Sequence, residues 1–260
     1  MTKYNTKWGR AETLAAFNLY CRMPFGRVHS RNPTIVALAK KIGRTPASLS
    51  MKMGNLAWHD PKNPSSLKPG SKLDAAIWEE FFARPEQLIY ESERAFAVFD
   101  GQTAEARAEV PPEIVNMPDG KERESLVRTR VNQSFFRRAV LSAYRERCCI
   151  TGLGAPELLN ASHIVPWHKN RGRLDPSNGL CLNALHDRAF DRGLITVQTD
   201  GAVIVSGYLR EKAKTCREAA FVIGCDGHTI DAPDKFKPGA DFLEYHNKHI
   251  FRGNRRGRRI

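Results

Sequence analysis

The sequence predicts an α+β protein in two parts: a helical N-terminal half, then a C-terminal half of short strands and helices. Three observations carry this. Apolar residues recur at helical spacing early in the chain, as in Ile35, Leu38, Ala39 and Ile42. Turn residues crowd between Asp100 and Arg130, where Gly101, Pro111, Pro112, Pro118, Asp119 and Gly120 interrupt it. Beyond them come short β-branched runs, above all Ile195-Thr196-Val197 and Val203-Ile204-Val205 around Asp200-Gly201, a clean hairpin pattern. The expected parts are residues 1–100, a linker over 101–130, and a second domain over 131–260.

The chain has 260 residues, with 41 Lys and Arg against 28 Asp and Glu, a formal net charge of +13. That excess points to a polyanionic partner, and nucleic acid is the commonest. The 41% hydrophobic content supports a buried core, yet no apolar run approaches a membrane span. The opening MTKYNTKWGRAE lacks the apolar stretch of a secretory signal, so a cytoplasmic location is expected. None of the six cysteines sits in a C-x-x-C pair. No structural zinc is therefore expected, and most of the thiols should be small core residues.

Taken in order, Glu12 to Cys21 places Leu14, Phe17 and Cys21 on one helical face. Thr34 is a candidate cap for the next helix, which Gly43 ends. Thr45 then caps a helix from Pro46, with Leu49, Met53 and Leu56 inward. The stretch LAKKIGRTPASLSMKMGNLA resembles helix-turn-helix DNA-binding domains. That likeness implies that Ala47, Ser48, Ser50, Lys52 and Asn55 face a major groove. Pro61 to Gly70 reads as a loop, and Leu73 to Phe82 and Pro85 to Phe99 as helices.

After the linker, Gln133 to Tyr144 reads as a helix with a basic face, on which Arg137 and Arg138 are candidate phosphate contacts. Cys148 to Gly152 reads as a short strand ending in a turn. Past the hairpin, the segment through Gly227 and Pro238 is expected to be loop with short strands, followed by a helix from Asp241 to Phe251 and an arginine-rich tail.

The central stretch is Ala161 to Leu194. His163 lies in an apolar, strand-like run from Leu158 to Pro166. Asp175 to Gly179 is a turn cluster, and Leu180, Leu182 and Leu185 are read as opening a helix through His186 and Phe190 that ends at Gly193. Strand, loop, strand and helix suit a ββα unit. A histidine near its natural pKa suits a base, and a divalent ion can handle phosphate charge and a leaving oxygen.

His163, Asn178 and His186, with PW after the first, NGL at the second and HDRAFDRG at the third, resemble the HNH endonuclease family. NQSFFRRAVLSAYRERCCITG, GLITV and FLEYHN are similar to its restriction-endonuclease branch. The resemblance covers residues 130–251 and implies a ββα-metal nuclease. By it, His163 is the general base and Asn178 ties the loop and orients the base. His186 binds a divalent ion, most simply Mg²⁺, and Asp191 is the carboxylate partner.

Two departures follow. Ser162 stands where many members carry a metal ligand, and Ser is a poor ligand for a hard cation. His186 and Asp191 are five apart on a helix, whereas Asp187 and Asp191 share a face, which makes Asp187 an alternative ligand. Arg171 and Arg188 are candidate phosphate contacts near the site. The implied function is metal-dependent cleavage of double-stranded DNA in restriction or phage defence. The alternatives are an inactive DNA-binding regulator of the same fold and a homing-type or RNA-directed nuclease. Cutting both strands would most simply need a homodimer.

Overall fold

In a computed structural model, residues 6–60, 70–169, 172–216 and 219–253 are described. The loop from Pro61 to Pro69, Arg171 and the tail from Asn254 lie outside them. The chain divides into two compact units, Met1–Ser142 and Ala143–Ile260.

The described residues of the first unit are all helical or irregular. Helix α1, Arg10–Arg22, is its buried centre, with Ala15, Ala16, Phe17 and Tyr20 fully enclosed. Helix α2 is Pro33–Ile42. Its cap is Asn32 rather than Thr34: the Asn32 Oδ1 accepts from the Thr34 backbone N–H at 2.9 Å, and Pro33 takes the first position, where no N–H is needed. Gly43 ends α2 at φ 73°, and Thr45 caps α3, Pro46–Trp58. Helices α4, Lys72–Ala83, and α5, Pro85–Asp100, complete the core. Phe17 meets Trp78 edge-on at 5.2 Å between ring centroids, and Trp78 meets Phe81 at 5.6 Å.

The expected linker is structured. Helices α6, Ala104–Arg107, and α7, Pro112–Val115, fill it, and α8 starts at Lys121 and runs to Ala143. Ala104, Val110, Val127 and Val131 pack with Ala97 into one apolar cluster. The prolines and glycines therefore punctuate short helices instead of marking a spacer, and the charge-dense run from Lys121 is largely the solvated side of a long helix.

The second unit opens on a turn, not a strand. Cys149 donates its backbone N–H to the Cys181 carbonyl at 2.8 Å, and Gly152 turns the chain at φ 71°. Strands β1, Leu159–His163, and β2, Gly179–Asn183, pair antiparallel, with His163 opposite Gly179 and Leu159 opposite Asn183. Leu180 and Leu182 belong to β2, which is buried throughout, so the helix starts later than expected. That helix, α9, Ala184–Asp191, packs on both strands.

Gly193 follows α9 at φ 66°, and a Cβ there would lie 2.1 Å from the Ile250 carbonyl oxygen, so only glycine fits. Strands β3, Ile195–Val197, and β4, Val203–Val205, form the expected hairpin, with Gly201 at φ 89°. Where loop was expected come two short helices, α10, Gly207–Ala213, and α11, Ala219–Ile223; α12, Ala240–His249, follows. Five of the six cysteines are buried, and Cys216 is exposed. Among the described residues no helix is long and apolar enough to cross a membrane.

Candidate active site

His163 is the last residue of β1. Its Nε2 lies 2.9 Å from the Arg173 backbone carbonyl, which can only accept. Nε2 therefore carries the ring proton and Nδ1 carries the lone pair. The Trp167 ring stands edge-on to the imidazole at 5.5 Å. Burial pushes the His163 pKa below its ordinary value, opposed by the Arg173 contact and by the charge of Asp187. A neutral imidazole at neutral pH is the form a general base needs.

Asn178 is fully buried and closes the loop after His163. Its Oδ1 accepts from the Val165 N–H at 2.7 Å, and its Nδ2 donates to the Val165 carbonyl at 3.1 Å. One side-chain amide thus mimics a strand partner. The Asn178 carbonyl also accepts from the Ile164 N–H at 2.9 Å, so the chain beside His163 is clamped on both sides of one peptide.

His186 is buried against the sheet by α9. Its Nδ1 is 3.0 Å from Asn183 Oδ1, whereas its Nε2 is buried with no hydrogen-bond partner among the described residues. The Phe221 ring from α11 lies 5.2 Å away. Burial lowers the His186 pKa. A buried, neutral imidazole with one unpaired nitrogen is the donor a divalent ion takes, so His186 fits an ion.

The carboxylates divide. Asp187 Oδ2 accepts from Asn160 Nδ2 at 2.8 Å, and the Asp187 charge acts on His163. Asp191 is exposed; partial burial of its carboxyl raises its pKa, and the charge of Asp187 adds to that. Five residues along a helix turn exposed Asp191 away from inward-facing His186. Among the described residues no three His, Cys, Asp or Glu side chains gather as a metal cluster. Ser162 offers no substitute: it is 2% exposed and its Oγ has no partner among the described residues.

The expected nucleic-acid contacts fare differently. Lys52 is buried, with its Nζ 2.8 Å from Asp74 Oδ1 and over the Trp8 ring, so it cannot face a groove. Ser48, Ser50 and Asn55 are half-buried on α3, and Ala47 is exposed. Arg138 is turned inward to Glu93 at 3.3 Å and to the Arg107 carbonyl at 3.4 Å, which removes it from the expected phosphate face. Arg137 and Arg188 are exposed. Because Asp74 is fully buried, Lys52→Ala should destabilise the N-terminal unit by ~3–5 kcal/mol in urea unfolding. The double change Lys52→Met with Asp74→Leu should cost far less, since no buried charge is stranded.

His246 is a structural histidine. It stacks on Phe190 at 3.7 Å, donates from Nε2 to the Phe190 carbonyl at 3.1 Å, and is pushed by burial from 6.5 to about 4. The unfolded chain takes up this proton near its ordinary pKa, the folded chain only at the lower one. Its stabilising contribution is therefore complete above about pH 6.5 and is lost as pH falls towards about 4. His163 and His186 shift the same way. The urea midpoint of the C-terminal unit should accordingly fall steadily on acidification across this range.

Sequence reasoning missed Asn160, Asn183 and Phe221. Only Asn183 carried a signal, as a capping residue just before a helix, and reading Leu180 and Leu182 as helical hid it. Residues 148–198 match the family model described as HNH endonuclease. No curated protein matches the chain. The matched span holds both strands of the ββα unit, its helix, and the positions of His163, Asn178 and His186. The chain therefore carries an HNH endonuclease domain at residues 148–198.

Proposed function

We propose that the chain is a divalent-ion-dependent endonuclease that hydrolyses phosphodiesters of double-stranded DNA. One observation carries the reading: two imidazoles of a single ββα unit are held in opposite tautomers by separate oxygen acceptors. His163 takes a proton from water through Nδ1, while the Arg173 carbonyl keeps the ring aligned. The imidazolium that forms is favoured by the nearby Asp187 charge. Asn178 fixes the loop that positions this ring.

His186 would hold the ion through Nε2, with water and phosphate oxygens as the remaining ligands, as suits Mg²⁺. Such an ion supplies neutralisation of phosphate charge and help to the leaving oxygen. Exposed Arg188 suits a flanking phosphate. The net charge of +13 supports a nucleic-acid partner, with the outward residues of α3 contributing recognition. A role in restriction or phage defence rests on the resemblance alone, and double-strand cutting would call for a homodimer.

A second reading is an inactive regulator, favoured by Ser162 and by the lack of a three-ligand cluster among the described residues. Incubating the protein with unmodified and modified plasmid DNA, single-stranded DNA and RNA, with Mg²⁺, Mn²⁺ or EDTA, separates them. Metal-dependent nicking of duplex is the expected result. Binding without nicking under every condition supports the regulator.

A further inference from the structure

We propose that Asn183 is a positioning residue that aims His186, and this rests on the nuclease reading above. Asn183 ends β2, immediately precedes α9 and is 4% exposed. Its Oδ1 accepts from the Leu185 N–H at 3.2 Å and the His186 N–H at 3.0 Å, and lies 3.0 Å from His186 Nδ1. Its Nδ2 donates to Thr151 Oγ1 at 3.3 Å and towards Cys148 Sγ at 3.6 Å. The amide cannot be reversed, because its nitrogen would then face two backbone N–H groups. The oxygen is the acceptor, so His186 Nδ1 carries the proton and Nε2 is left with the lone pair.

Capping alone does not explain this arrangement. Closing the first turn of α9 uses the two backbone contacts, and a serine or threonine oxygen serves that purpose well. The third contact, to the ring, is what the longer amide adds. Its product is a buried Nε2 with no partner among the described residues, which costs stability in a fold that has no use for it. A positioned ligand does use it. Histidine ligands to metals commonly donate their other ring N–H to an oxygen that sets tautomer and orientation. Thr151, holding the far side of the amide, keeps that oxygen from rotating away.

The test compares the full chain with Asn183→Asp, which keeps the oxygen acceptor, and Asn183→Ser, whose shorter side chain keeps the cap but stops short of the ring. Long-range ¹H–¹⁵N NMR of neutral His186 should show the Nδ1–H form in the parent and the Asp variant, and a substantial Nε2–H population in the Ser variant. Mn²⁺ alone, titrated calorimetrically, should bind the Ser variant ~10–100-fold more weakly and the Asp variant at least as tightly as the parent. A parent protonated at Nε2, or a Ser variant unchanged in both tautomer and Mn²⁺ affinity, overturns the proposal. Neither readout needs cleavage. Expected tautomers and Mn²⁺ affinities in a protein that never nicks DNA would sink the nuclease reading while leaving Asn183 as the residue that aims His186.

Discussion

Replacing His163 with alanine should lower DNA cleavage by ~10²–10⁴-fold, the usual worth of a general base, while duplex binding stays largely intact. The reason is local: the ring is held by the Arg173 carbonyl and Trp167, neither of which can take up a proton from water in its place. The pH profile carries the same signature. A base works only when deprotonated, and burial holds this pKa below 6.5, so cleavage should rise with pH along a limb centred below 6.5 and be level at neutral pH. Removing the Asp187 charge with Asp187→Asn should move that limb to lower pH, because the carboxylate favours the protonated ring. Unchanged cutting by His163→Ala, or an acid limb centred above 6.5 in the parent, would defeat the assignment.

Asn178→Ala should be the most damaging change to the fold of the site. It leaves the N–H and carbonyl of Val165 without their partners in a fully buried position. At about 1–3 kcal/mol for each stranded group, the loss is ~2–6 kcal/mol. Cleavage should fall with it even where the unit stays folded, since the freed loop no longer sets the angle of His163. Asn178→Asp keeps one contact and loses the other, because a carboxylate accepts from the Val165 N–H but repels the Val165 carbonyl. It should therefore fall between the parent and the Ala variant in urea midpoint. Equal midpoints for all three proteins would refute the clamp.

Much of this architecture is legible in the amino-acid sequence itself. The helix pair around Gly43 and Thr45, the Asp-Gly hairpin and the placing of His163, Asn178 and His186 all follow from turn chemistry and residue spacing, which act over a few positions. What stays hidden there depends on contacts between distant residues. Lys52 is a groove contact by the helix-turn-helix likeness, yet Asp74 and Trp8 draw it inside. Arg138 reads as part of a basic face until Glu93, 45 positions away, claims it. The region after Asp100 is rich in breakers, and composition cannot distinguish a spacer from short helices packed over Val127 and Val131. Spacing warns that His186 and Asp191 diverge, but the action of Asp187 on His163 emerges only once β1 and α9 are packed together.

The clamp between Val165 and Asn178 also separates two tasks that one loop would otherwise share. With both ends of the intervening segment pinned to each other, its middle can lengthen or change composition at little thermodynamic expense, ~0.6 kcal/mol for each doubling of length. The His163 ring tolerates such changes only where Trp167 and the Arg173 carbonyl, both within the segment, keep their contacts with it. Length and composition can therefore vary between the pinned ends only at positions other than these two without disturbing the geometry of His163.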